Sequence, residues 1–165
     1  MSRNAVAVVC CLAFLTGYLA GGAPGCPAIG PDGDRVAEPV CQGDAAGGLS
    51  LSLDRTDEAV RVTATNVGDE PVAVNPDRWV VFREAAEGSN SGEAAWRPVA
   101  NAPAGTHNLT VSMLEPGDRM TWELRYAPDA DPTNRRDATL ARPGRHVFSL
   151  RANNRTYVVA FEVEG

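Results

Sequence analysis

Four cysteines, two histidines and one acidic stretch are the places where residue type and spacing could suit covalent or metal chemistry. Cys10 and Cys11 lie inside an uncharged apolar run over residues 5–20, which Arg3 precedes as the only charge. Cys26 and Cys41 follow that run. From Leu49 onward there is no cysteine, so the expected domain offers no thiol nucleophile, no thiolate metal ligand and no internal disulfide. His107 and His146 stand apart in the sequence, and both read as ordinary polar surface or strand-edge residues. Two isolated histidines fall short of the three or four ligands that zinc requires. No Gly-x-Ser-x-Gly elbow occurs, so a serine triad has no visible nucleophile.

Asp129, Asp131, Asn134 and Asp137 could offer oxygen ligands to calcium, or form a solvated loop whose charge Arg135 and Arg136 partly cancel. Asp32-Gly33-Asp34 reads as a polar turn. Asn108-Leu109-Thr110 and Asn154-Arg155-Thr156 fit the N-glycosylation pattern, with Asn154 at an expected hairpin tip. Of the three tryptophans, Trp79 and Trp122 sit in core registers, which leaves Trp96 as the one candidate for stacking on a sugar. These observations predict a chain that is not an enzyme and binds no cofactor.

The N-terminus carries the strongest signal. A positive start, an apolar middle and a small-residue end over residues 21–25 compose an export signal or membrane anchor over residues 1–25. Cys26 has three fates. It takes a lipid after the triplet Ala23-Pro24-Gly25, although Pro24 departs from the usual lipobox. It follows an uncleaved anchor, since residues 5–23 approach the length that spans a bilayer. Or it forms a disulfide with Cys41 in a freely secreted protein. The lipid and the disulfide exclude each other. Residues 26–48, with three prolines, five glycines and few apolar side chains, read as a flexible tether.

Residues 49–165 have the size of one domain. The formal net charge is −6 and every one of the 15 basic residues is arginine, which argues against a nucleic-acid partner. Acidity without lysine fits either a salt-rich habitat, where carboxylates keep a protein dispersed, or GC-rich coding.

Period-two alternation places strands in this domain. Leu49, Leu51 and Leu53 share one face, as do Val60, Val62 and Ala64. Val72 and Val74 mark a further strand, and residues 79–83 another. Residues 96–99 form a brief extended piece. Leu109, Val111 and Met113 alternate, as do Met120, Trp122, Leu124 and Tyr126. Phe148 and Leu150 share a face, and Tyr157, Val159, Phe161 and Val163 complete the last strand. Pro116-Gly117 and Pro143-Gly144 are turns, and Asn153-Asn154 makes a two-residue hairpin because asparagine tolerates positive φ. Residues 84–93 and 128–142 read as loops. Seven to nine short strands predict an all-β antiparallel sandwich.

Three segments carry a resemblance: Thr65-Asn66-Val67-Gly68-Asp69-Glu70-Pro71-Val72, Leu114-Glu115-Pro116-Gly117-Asp118, and Leu140-Ala141-Arg142-Pro143-Gly144-Arg145-His146. They resemble turn motifs of bacterial and archaeal immunoglobulin-like domains, with His146 where tyrosine is common. The pattern is also similar to the bacterial intracellular proteinase-inhibitor family. The first resemblance implies the fold; with the export signal it leads to the expectation of an exported, membrane-tethered binding or structural module at the cell surface, whose partner is an unknown protein or envelope component. The second implies an inhibitor of a hydrolase, with residues 84–93 or 128–142 as the inserting loop.

Overall fold

The computed structural model describes residues 26–85, 96–101, 110–127, 139–140 and 142–164. Among these residues there are ten strands, a single 3-10 turn at Ala46–Gly48 and no α-helix. The strands are β1 (Val40–Cys41), β2 (Leu49–Arg55), β3 (Ala59–Asn66), β4 (Val72–Glu84), β5 (Trp96–Ala100), β6 (Ser112–Leu114), β7 (Arg119–Tyr126), β8 (Thr139–Leu140), β9 (Gly144–Ala152) and β10 (Arg155–Val163). They form two sheets. One has the order β1-β10-β9-β4-β5, with β6 also paired to β4, and the other has the order β2-β3-β7-β8.

The alternation in the sequence explains how the sheets share a core. In the four-stranded sheet, Leu53, Val62 and Trp122 stand opposite one another across β2, β3 and β7. In the six-stranded sheet, β4 contributes Trp79 and Val81, β9 contributes Phe148 and Leu150, and β10 contributes Tyr157, Val159 and Phe161. Both sets belong to one buried cluster, against which the partly buried Leu53 packs. Phe148 stacks on Trp79 at 5.5 Å and meets Trp122 of the other sheet at 5.3 Å. Such offset and tilted aromatic pairs each add about 0.5–1.5 kcal/mol beyond the area they bury. The Trp122 indole N–H donates to the Pro76 carbonyl at 3.0 Å, so its polar edge is satisfied and crosses between the sheets.

Several elements differ from the sequence reading. The two pieces expected around residues 71–75 and 79–83 are one strand, β4, with a register shift between Val74 and Trp79. Asn75-Pro76-Asp77 interrupts the ladder there without ending it. Two pairings, β1 with β10 and β7 with β8, are parallel rather than antiparallel. Both involve two-residue edge segments reached by long connections, which free them from hairpin geometry. The face expected to hold Val111 and Met113 in the core points outward, since these residues are 56% and 54% exposed. Leu114 is buried instead, opposite Val72, so β6 is one residue out of the expected phase. Leu109 lies outside the described residues.

One end of the two sheets is tied together by backbone and one side chain. Asn66 is 1% exposed. Its Nδ2 donates to the carbonyls of Glu70 and Leu114, both at 2.8 Å, and its Oδ1 accepts from the Gly68 N–H at 3.0 Å. Its backbone N–H donates to Asp118, and its carbonyl accepts from Gly117. Gly48 closes the same corner at φ +85°, where its carbonyl accepts the N–H groups of Val67 and Gly68. A side chain there would be strained and would sit 3.3 Å from Val72. The Asn153-Asn154 turn lies at this end too, with φ of 47° and 57°, as the sequence predicts.

Candidate functional site

The segment expected to be a flexible tether is packed against the six-stranded sheet. Cys26 and Cys41 are joined in a disulfide, with their Cα atoms 5.7 Å apart. Cys41 lies in β1, which pairs with the edge of β10 at Tyr157 and Val158. Between the cysteines the chain crosses the outer face of that sheet as a strap. Ile29, 7% exposed, packs among Val80, Phe82, Val147 and Val158. The Ser149 hydroxyl donates to the Ile29 carbonyl at 2.9 Å. Arg151 forms ion pairs with Asp32 at 2.9 Å and Asp34 at 3.2 Å, and Arg78 approaches Asp32 at 3.7 Å. Burying Ile29 contributes about 1.5–3 kcal/mol, and the cross-link restricts the unfolded chain. Together these favour the ordered strap over a free tether. Asp32-Gly33-Asp34 is therefore a polar turn with a partner in Arg151. The Cys26 sulfur, bonded to Cys41, is not available for a thioether to lipid.

Trp96 is half-buried, not free. It packs at the border of the same outer-face cluster, with the Arg145 guanidinium 5.7 Å from its ring. Arg145 in turn approaches Glu84 at 3.8 Å.

The opposite end from Asn66 is open. Here β2 turns into β3, β7 ends, and β10 runs out beside the start of β9. A cleft of about 540 Å³ lies between them. Tyr126, Leu140, Pro143 and Val163 give it an apolar lining, and Arg55, Arg142, Asp57 and Glu162 supply charge of both signs. Thr56 holds the β2–β3 turn: its Oγ1 accepts the Ala59 N–H at 3.0 Å, and its own N–H donates to the Ala59 carbonyl at 2.9 Å. A second depression of about 470 Å³ adjoins at Thr56 and Asp57, bordered by Arg61, Glu123 and Arg125. Hydrogen bonds from Arg61 at 3.2 Å and Arg125 at 3.1 Å hold the exposed Glu123 carboxyl below the usual carboxylate range. The surface suits non-covalent contact with a ligand of mixed polarity. In the second depression, Arg61 and Arg125 both pair with Glu123.

His146 departs from its expected surface role. It is 1% exposed, with Nδ1 2.7 Å from the Gly144 carbonyl and its ring stacked on Phe161 at 5.5 Å. The carbonyl is an acceptor, so Nδ1 carries the proton. Burial lowers the imidazole pKa below 6.5, more than the Gly144 bond raises it. The flanking strands β4 and β10 enclose the ring, which sequence spacing alone could not reveal.

Of the glycosylation candidates, Asn154 is exposed at the hairpin tip, while Thr156 of the same motif is 3% exposed. Asn108, His107 and the candidate calcium ligands Asp129, Asp131, Asn134 and Asp137 lie outside the described residues. Most of the two loops proposed for an inhibitor does as well. Among the described residues, no group of three His, Cys, Asp or Glu side chains is placed to hold a metal ion, and no helix is long and apolar enough to cross a membrane.

No protein-family model matches the sequence, and neither does any curated protein. Among solved structures, a β-glucosidase from Kluyveromyces marxianus is similar at 14% identity and a TM-score of 0.33, over 82% of this chain and 15% of the enzyme. The structure of a β-glucosidase from the same organism in complex with glucose is similar at 19% identity and a TM-score of 0.31, over 71% of this chain and 14% of that one. The chain thus spans about a seventh of these proteins, and similarity this slight carries no argument about fold or chemistry.

Proposed function

We propose that this chain is an exported, non-enzymatic binding module with an immunoglobulin-like sandwich architecture. In this reading it works outside the cytoplasm, held at the membrane by its N-terminal apolar run, and contacts a protein partner of the cell envelope through its open end. The disulfide-fastened strap carries the proposal. Structural disulfides persist in oxidising compartments and are rare where thiols are kept reduced, and this one follows in sequence on the apolar run that we read as an export signal. Two sheets on one core, joined by tight turns, support the architecture. The open end supports a binding role, because strand-end loops on a rigid scaffold commonly carry recognition. With the Cys26 sulfur bonded to Cys41, attachment through the apolar run over residues 5–23 is favoured over a lipid on Cys26.

Intact mass and thiol labelling of the protein from its native cells test this reading. The expected result is a chain in the membrane or exported fraction that lacks free Cys26 and Cys41 thiols and carries no lipid on Cys26. Finding it in the cytoplasm with both thiols free would overturn the proposal.

A further inference from the structure

Four side chains form a transverse row across the six-stranded sheet near the open end. Arg83 of β4 stands opposite His146 of β9 on one side and Arg97 of β5 on the other, and His146 stands opposite Phe161 of β10. Strand alternation fixes their face. Trp79 and Val81 point into the core between the sheets, so Arg83 two residues on points the same way, while Val80 and Phe82 point outward under the strap. Directly opposed residues bring their Cβ atoms within about 4.5–5.5 Å, and like charges in that position repel.

Glu84, next to Arg83 in sequence, does not relieve this repulsion. Glu84 has the opposite parity and approaches Arg145 on the outer face. Among the described residues, no carboxylate makes an ion pair with Arg83 or Arg97. The Nε of Arg83 is buried without a hydrogen-bond acceptor. A buried donor without an acceptor and two arginines opposed in register are both unfavourable, and the same addition, a bound oxyanion, satisfies both. Guanidinium forks match carboxylate, phosphate and sulfate oxygens in bidentate geometry.

We propose that Arg83 and Arg97 form a binding site for an oxyanionic group, with the stacked rings of His146 and Phe161 as its apolar wall. The ligand is a carboxylate, phosphate or sulfate group entering from the open end. The proposal goes beyond the export and binding-module reading and does not rest on it, because these arginines do not line the cleft described above.

The test is titration of the full chain, disulfide intact, with sodium phosphate, sodium sulfate and sodium acetate, against sodium chloride at equal ionic strength. Calorimetry and the thermal midpoint are the two readouts. The expected result is a saturable single-site response to at least one oxyanion, weakened about tenfold or more in Arg83→Gln and Arg97→Gln and unchanged in Arg155→Gln at the far hairpin. A response to acetate identifies a carboxylate site; a response to phosphate or sulfate alone identifies a tetrahedral anion. Arg97 is exposed, so Arg97→Gln remains informative even if Arg83→Gln fails to fold. A response no greater than that to chloride, or one retained in the Arg97→Gln protein, overturns the proposal.

Discussion

The two ends of the sheets solve opposite problems with the same kind of backbone. At the Asn66 end, one buried side chain and the turns around Gly48 and Gly117 satisfy one another, and little polar surface is left unpaired. At the other end, strands finish around clefts, Arg61 and Arg125 pair with the exposed Glu123, and two arginines stand opposite each other in register. The first arrangement fixes the sheets relative to each other. The second leaves an exposed rim of charged and polar side chains around the clefts. In the proposed reading, stability and recognition are thus separated along the strand axis.

Substitution can break this comparison, and the largest effect belongs to the closed end. Asn66→Ala removes three side-chain hydrogen bonds and leaves buried backbone partners unsatisfied. The expected loss is about 3–4 kcal/mol in denaturant unfolding with an unchanged m-value. A loss under about 1 kcal/mol would mean that the backbone bonds alone hold this end. Next comes the strap, which is fastened beside the closed half of β10. Replacing both Cys26 and Cys41 by serine is expected to cost about 3 kcal/mol, as a loop of this length implies. Protease cleavage between them should become faster.

A smaller effect is pH-dependent. Burial holds the His146 pKa below 6.5, so the unfolded chain binds this proton more readily than the folded one. Its contribution is complete above the unfolded pKa of about 6.5 and is lost as pH falls toward the folded value. Midpoints should therefore decline between about pH 7 and pH 5, and His146→Phe should flatten that slope. Thr56→Ala at the open end removes the partly exposed hydrogen bonds of one turn and is expected to cost only about 0.5–1.5 kcal/mol. Glu123→Gln, on a fully exposed carboxyl, should leave the unfolding midpoint unchanged within error while altering the charge of the adjoining depression.

Local pattern made the strands legible because sheet faces repeat every two residues. Val60-Val62-Ala64 and Met120-Trp122-Leu124 declare their inner face, and Pro-Gly and Asn-Asn pairs declare their turns. Other features depended on partners distant in sequence. Ile29 and Val40 are too few to suggest packing until the disulfide and Arg151 are added. Met113 and Leu114 are both apolar, and only the pairing of Leu114 with Val72 decides which one is inside. His146 looked exposed beside a turn because its cover comes from β4 and β10. The row of Arg83 and Arg97 exists only in register, since the residues between them contain no pattern that brings them together. The candidate disulfide was visible from the sequence, but competing fates for Cys26 stood beside it.

The strap also determines how the molecule would carry a pull. If its N-terminus were held and the domain dragged away, force entering at Cys26 would cross directly to Cys41 and pass into β1 and the edge of β10. The chain between the cysteines would bear none of it. Reduction would add that chain to the load path and lengthen the connection by ~50 Å at full extension. The disulfide would thus act as a mechanical bypass, setting both how far the domain can stand from its point of attachment and which strand feels the strain first.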